Sequence, residues 1–188
     1  ILLTTVGGRL VAKVADFGTA RYAPALLEMN TQGQRNTHHS TQSVTGTRPY
    51  MPIEYSTLGH VSEKTDTFAF GVVLCELLTA QPPADYAQGM VLAFTMTKPL
   101  ADAERLLPPL LDTRLGGGSE WPLPRALALG RVARHCLEAM PADRCTVSEQ
   151  VQALDELAGR EFEPCVRTGE KASNTAGYQL NRPNIADG

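Results

Sequence analysis

Four short stretches of this 188-residue chain carry acids, hydroxyls and an arginine in an order that could do chemistry. The first is Asp16-Phe17-Gly18, a carboxylate directly after an apolar stretch and just before a flexible residue. Alone, this tripeptide reads equally well as a turn that ends a strand, with Gly18 supplying the bend. Downstream come Gly46-Thr47-Arg48-Pro49-Tyr50-Met51-Pro52-Ile53-Glu54, then Asp66-Thr67-Phe68-Ala69-Phe70-Gly71, then Pro141-Ala142-Asp143-Arg144. Other chemistry finds less support. Adjacent His38-His39 point apart and have no further ligand nearby, so they read as a solvated loop and not a metal pair. Gly116-Gly117-Gly118 lacks the lysine of a phosphate-binding loop and reads as a turn. Cys75, Cys136, Cys145 and Cys165 form no C-x-x-C pair, which argues against a zinc knuckle or a dense disulfide framework and for reduced thiols. Cys75 and Cys136 fall on apolar helix faces and read as core thiols.

The elements that must position these stretches can be read from periodicity. Ile1 to Thr5 and Arg9 to Ala15 are apolar and flank Val6-Gly7-Gly8, a pattern that predicts a β-hairpin, with Asp16 at the end of its second strand. From Thr19 to Thr47 the chain is polar and aperiodic, the mark of a long functional or disordered loop. Ser62 to Thr79 predicts a helix that is apolar on nearly every side and so buried all round. After Pro82-Pro83, a weaker helical stretch is expected near Ala87 to Met96. Pro124 to Met140 places Ala126, Leu129, Ala133, Cys136, Leu137 and Met140 on one face of an amphipathic helix. Thr146-Val147-Ser148-Glu149 matches a capping box and opens a last helix, ending before Gly159, with Val147, Val151 and Leu154 inward.

In this order the four stretches resemble the lower half of the signature set of eukaryotic-type protein kinases: D-F-G, then G-T-x-x-Y-x-x-P-E, then D-x-x-[SA]-[FY]-G, then a late arginine. The resemblance runs from Ile1 to about Ala158 and is greatest to plant receptor-like kinases and interleukin-1-receptor-associated kinases, through Ser62-Glu63-Lys64-Thr65-Asp66, Leu111-Asp112-Thr113-Arg114-Leu115 and Ala133-Arg134-His135-Cys136-Leu137. It implies a mainly α fold, the large C-terminal lobe of a kinase, built as a helical bundle with a short β-hairpin at its start. Residues 1–158 would be that lobe, with an activation segment over about 16–54, and 159–188 a polar, disordered tail.

The resemblance also implies roles. Asp16 would hold Mg²⁺, and Asp16, Phe17 and Gly18 would form the cofactor-binding turn, with Phe17 packed inward. Thr47 would lie in the substrate-binding loop against the catalytic aspartate. Ser40, Thr41, Ser43 and Thr45 are candidate activation-loop phosphosites. Glu54 and Arg144 would form a buried structural ion pair, and Asp66 would accept hydrogen bonds from the backbone of the catalytic loop. Gly46-Thr47 before Tyr50 favours serine/threonine over tyrosine specificity. Three positions depart from the pattern: Pro52-Ile53-Glu54 stands where Ala-Pro-Glu is usual, Phe68 replaces a tryptophan or tyrosine, and Cys145 replaces a proline.

Equally informative is what the sequence lacks. It contains no glycine-rich nucleotide loop, no strand lysine with its helix glutamate and no H-R-D-x-x-x-x-N catalytic loop, so the N-terminal lobe and catalytic loop are absent from it. The opening at Ile1 reads as the middle of a buried strand. Two functions are expected: part of an ATP- and Mg²⁺-dependent protein serine/threonine kinase acting on protein substrates in signalling, itself inactive as a fragment, or a non-catalytic lobe or pseudokinase serving as a protein-binding scaffold. A formal charge of −3 gives no basic surplus for nucleic acid or an anionic membrane. The longest apolar run, Phe68 to Cys75, stops at Glu76, far short of the roughly 20 residues a bilayer requires. A cytoplasmic protein is expected, in one version the cytosolic part of a membrane receptor.

Overall fold

The computed structural model describes residues 1–15, 17–20, 39–41, 43–114 and 122–159. Asp16, the loop over 21–38, Gln42, the stretch 115–121 with its glycine run, and the expected tail over 160–188 with Cys165 lie outside the described residues.

The chain opens on a hairpin of β1 (Leu2–Val6) and β2 (Arg9–Lys13), antiparallel from Leu2↔Lys13 to Val6↔Arg9. Gly7 and Gly8 both have positive φ, 56° and 77°. Two such residues make the tight turn whose twist matches that of the paired strands. Next come β3 (His39–Ser40), α1 (Ile53–Leu58) and β4 (His60–Val61), with β3 and β4 paired through Ser40↔His60.

The main helix, α2 (Glu63–Thr79), starts at a capping box: Ser62 Oγ accepts from the Lys64 backbone N–H, and Thr65 Oγ1 accepts from that of Ser62. Its Val72, Cys75 and Leu78 are fully buried. Burying an aliphatic side chain such as Val72 or Leu78 is worth about 1.5–3 kcal/mol. The burial is not all round, however. Leu77 is 55% exposed, so one side of α2 faces solvent.

A short hairpin, β5 (Ala84–Asp85) and β6 (Met90–Val91), precedes α3 (Leu92–Thr95), α4 (Thr97–Ala101) and α5 (Ala103–Leu106). The helix expected from Ala87 therefore starts later. Asp85 Oδ1 accepts the backbone N–H groups of Ala87 and Gln88, holding those residues in a turn. Then follow α6 (Leu123–Cys136) and α7 (Val147–Leu157). The core joins Leu74 and Cys75 of α2 to Leu92, Met96, Leu100, Leu107 and Ala133, and a smaller cluster joins Phe68, Val72 and Ala93.

Two expectations about the last helices need correction. Helix α6 stops at Cys136, and Met140 is 63% exposed. The reason is local: the carbonyls of Glu138 and Ala139 turn out of the helical path to accept from Arg144. Helix α7 does begin at the Thr146 capping box, with Glu149 Oε2 accepting from the Thr146 N–H and Thr146 Oγ1 from that of Glu149. But Val147 and Val151 face outward and Gln150 faces inward, where its Nε2 donates to Thr67 Oγ1 at 3.1 Å. A buried polar contact, and not the aliphatic stripe, sets that helix's rotation.

The crossing of α2 and α6 depends on Gly71. A Cβ there would stand 2.7 Å from Cys136 Cβ. Gly71→Ala should cost about 1–3 kcal/mol through overpacking, seen as a lower urea midpoint at unchanged slope; an unmoved midpoint would rule out so close an approach.

Candidate functional site

The second motif lies along the edge of the bundle, and each part of it has a tether. Thr47 is exposed and precedes a single turn of 3-10 helix, Arg48–Tyr50, in which the Tyr50 N–H donates to Thr47 O at 3.0 Å. Ahead of it, Tyr55 Oη donates to Thr45 O at 2.9 Å and accepts from the Thr45 N–H at 3.1 Å. One buried phenol thus satisfies both backbone groups of a loop residue. Further back, the Thr41 N–H donates to Gly59 O at 2.9 Å. Among the hydroxyls read as phosphosites, Ser40, Ser43 and Thr45 are exposed and Thr41 is half-buried. Ser43 Oγ and Thr45 Oγ1 lie 3.4 Å apart.

At the end of the motif Glu54 meets Arg144 across ninety positions of sequence. Arg144 Nη1 donates to Glu54 Oε1 at 2.6 Å, and Nη2 to Oε2 at 3.1 Å, a bidentate fork. The side chains are only 1% and 13% exposed. The remaining donors of Arg144 go to backbone oxygens: Nε to Glu138 at 2.7 Å, Nη1 to Lys64 at 3.1 Å and Nη2 to Ala139 at 3.2 Å. Its guanidinium carbon stands 5.0 Å from the centre of the Phe68 ring, within range of a cation–π attraction. The altered Pro52-Ile53-Glu54 stretch still enters this arrangement: Pro52 is buried, Ile53 is 63% exposed, and Glu54 sits in the first turn of α1.

The other expected residues are placed differently. Phe17 does not pack inward. It sits in a single turn, Phe17–Thr19, and is 69% exposed, and Leu2, Leu3, Leu10 and Val14, earlier in the chain, are exposed as well. A two-stranded hairpin has no second layer to receive such side chains. Gly18 lies in the same turn. Asp66 occupies the first turn of α2, and among the described residues its carboxylate has no hydrogen-bond or ion-pair partner. The residue is open to solvent on its outer side, yet desolvation by the protein behind it raises its pKa. No group of three His, Cys, Asp or Glu able to hold a metal comes together among the described residues, and Asp16 lies outside them.

Motif reading missed one pair. Tyr50 Oη donates to Glu76 Oε2 at 2.9 Å and reaches Oε1 at 3.1 Å. Burial, and then the Glu76 carboxylate, push the Tyr50 phenol up to about 12. Burial raises Glu76 as well, with the hydrogen bond from Tyr50 opposing it. The signal was available in the sequence: Glu76 is the lone charge in the otherwise uncharged run from Thr67 to Thr79.

Residues 1–154 match the protein kinase domain family. Among similar curated proteins, the probable serine/threonine-protein kinase PBL11 of Arabidopsis thaliana is 36% identical over 148 residues, covering 78% of this chain and 35% of its own length. The serine/threonine-protein kinase PBL27 of the same plant is 32% identical over 167 residues, covering 88% of this chain and 30% of its own. The receptor-like cytosolic serine/threonine-protein kinase RBK2, also of Arabidopsis thaliana, is 33% identical over 142 residues, covering 76% of this chain and 28% of its own. The chain belongs to the protein kinase family, and it spans about a third of the length of the curated relatives it matches. No helix among the described residues is long and apolar enough to cross a membrane.

Two expected outcomes follow from this geometry. Glu54→Gln should cost about 3–5 kcal/mol, since it leaves a buried guanidinium without its countercharge. Adding Arg144→Met should recover part of that loss, which a double-mutant cycle by urea denaturation would measure; strictly additive losses would mean that the pair is not coupled. The second outcome concerns pH. Because the native state holds the Tyr50 proton more tightly than the ordinary phenol value of 10.0, the stability it contributes is complete below pH 10 and falls as pH rises towards 12. Tyrosinate titration of Tyr50→Phe should lose the component near pH 12, and Glu76→Gln should shift that component to lower pH.

Proposed function

We propose that this chain is the substrate-facing part of a protein serine/threonine kinase that transfers the γ-phosphate of ATP to serine or threonine of protein substrates in cytosolic, receptor-linked signalling. The observation that carries the reading is the Glu54–Arg144 fork, which anchors the end of the Gly46–Glu54 stretch to α2 and to the turn after α6. A substrate-binding loop must present its hydroxyl acceptor in a fixed place, because phosphoryl transfer is governed by positioning and electrostatics. In this reading Thr47, exposed next to the anchored turn at Arg48–Tyr50, faces the substrate and the catalytic aspartate. Asp16, with Phe17 and Gly18, is assigned to the metal and nucleotide. Magnesium bound with ATP neutralises charge that spreads over the transferred group.

The segment over about 16–54 is then the activation segment, and its exposed hydroxyls Ser40, Ser43 and Thr45, with Thr41 half-buried beside them, are where added phosphate would change loop order. Asp66 is open to solvent with no polar partner among the described residues, which suits a residue assigned to the backbone of a catalytic loop that this sequence does not contain. The sequence also has no H-R-D-x-x-x-x-N stretch and no strand lysine with its helix glutamate, so the 188-residue chain by itself is expected to be inactive.

The test is a chimera. Joined behind the ATP-binding half and catalytic loop of one of the relatives, residues 1–159 should phosphorylate serine and threonine with Mg-ATP, and Asp16→Asn should lower the rate by roughly a hundredfold or more. The 188-residue chain alone should incorporate no phosphate. If the folded chimera is no faster than its Asp16→Asn variant, the kinase reading fails and a protein-binding scaffold takes its place.

A further inference from the structure

Two thiols face each other at the seam between α6 and α7. Cys136 Sγ, on the last residue of α6, lies 3.5 Å from Cys145 Sγ, on the residue before the Thr146 cap of α7. Their backbones are held side by side, since the Cys145 N–H donates to His135 O at 3.3 Å. A disulfide needs its sulfurs at about 2.05 Å, a closure that rotation of one side chain can supply. The two thiols differ in access. Cys136 is wholly buried against Gly71 of α2. Cys145 is half-buried and lines an open cleft of about 550 Å³, shared with Lys64, His135, Thr146 and Glu149. A small polar oxidant therefore reaches Cys145 and not Cys136.

We propose that Cys136 and Cys145 form an oxidation site, closed to a disulfide by a hydroperoxide. In the first step the peroxide O–O bond breaks, the Cys145 sulfur takes one hydroxyl as a sulfenic acid, and the other oxygen leaves as water. In the second, the Cys136 sulfur displaces hydroxide from Cys145, and the Cys136 proton leaves with it as a second water. Two thiols are oxidised to one disulfide, and one hydrogen peroxide is reduced to two waters. Burial pushes the Cys136 thiol well above the usual thiol range, which fits a group that reacts second.

The turn enclosed by the new bond contains the Glu138 and Ala139 carbonyls and Arg144 itself. Oxidation would brace the cradle of the Glu54–Arg144 pair from behind. Cys145 is also the position where this chain departs from the proline expected after the arginine, so the pair arises from a difference and not from the shared pattern.

The experiment treats the full 188-residue chain with hydrogen peroxide, alkylates it under denaturing conditions without reduction, and digests it with trypsin. Cleavage after Arg134, Arg144 and Arg160 places the two cysteines on separate peptides, 135–144 and 145–160. The expected result is that most of the chain yields these two joined, short of two hydrogens, and that dithiothreitol separates them. In the Cys145→Ser variant Cys136 should remain fully alkylatable. Recovery of Cys145 as a sulfinic acid with Cys136 free would overturn the proposal. So would Cys145 joined to Cys165 or to a second chain.

Discussion

The fold turns on a single buried cation. Arg144 has five N–H donors, and all five are used: two on Glu54 and one each on the carbonyls of Lys64, Glu138 and Ala139. An isolated charge at 1% exposure would be costly to bury, so the surrounding chain is organised to meet it. Helix α6 ends early so that two carbonyls can turn towards the guanidinium, and the first turn of α2 lends a third. The Lys64 ammonium donates to Arg144 O at 2.6 Å, so the two segments hold each other in both directions. Lysine at position 144 would offer three donors from one point and could not span these partners.

Because Arg144 draws together α1, α2 and the turn before α7, the Gly46–Glu54 stretch inherits its position from the bundle. Two further tethers share the load. The Tyr50–Glu76 hydrogen bonds hold the turn after Thr47 to the last turn of α2, and Tyr55 holds Thr45 from α1. All three connections are polar contacts made at half-buried or buried places, where lost partners are not readily replaced by water. Ser40, Ser43, Thr45 and Thr47 stay exposed while the backbone around them is anchored, an arrangement suited to a surface that other molecules must reach.

Much of this was legible in the sequence because the strongest signals there are local. Gly7-Gly8 between apolar strands specifies a tight turn, the Thr146–Glu149 box specifies a helix start, and the uninterrupted apolar run of α2 specifies a core helix. The motif order brought Glu54 and Arg144 together on resemblance, and no local pattern could have done so across that separation. What was not legible depended on tertiary polar contacts. Periodicity put Val147 and Val151 inside, but the bond from Gln150 to Thr67 turns α7 the other way. It extended α6 to Met140, but the demand of Arg144 for carbonyls stops the helix at Cys136. It passed over Glu76, whose partner is a tyrosine on a different element. In each case a buried donor or acceptor outweighed the aliphatic stripe, as expected where an unpaired buried polar group costs as much as an exposed valine.

The same reasoning separates the two ends of the motif set. Thr47 and Glu54 rest on the helical bundle, through Tyr50, Tyr55 and Arg144. Phe17 and Gly18 follow a hairpin whose Leu2, Leu3 and Leu10 are exposed, and two strands alone contribute little independent stability. Order at one end is therefore set by contacts already present in the described chain. Order at the other requires a further apolar surface to cover the hairpin, and no packing change within α2, α6 or α7 can provide it. A substitution that loosens the bundle would disturb Thr47 first, whereas Phe17 and Gly18 would respond to whatever layer meets β1 and β2.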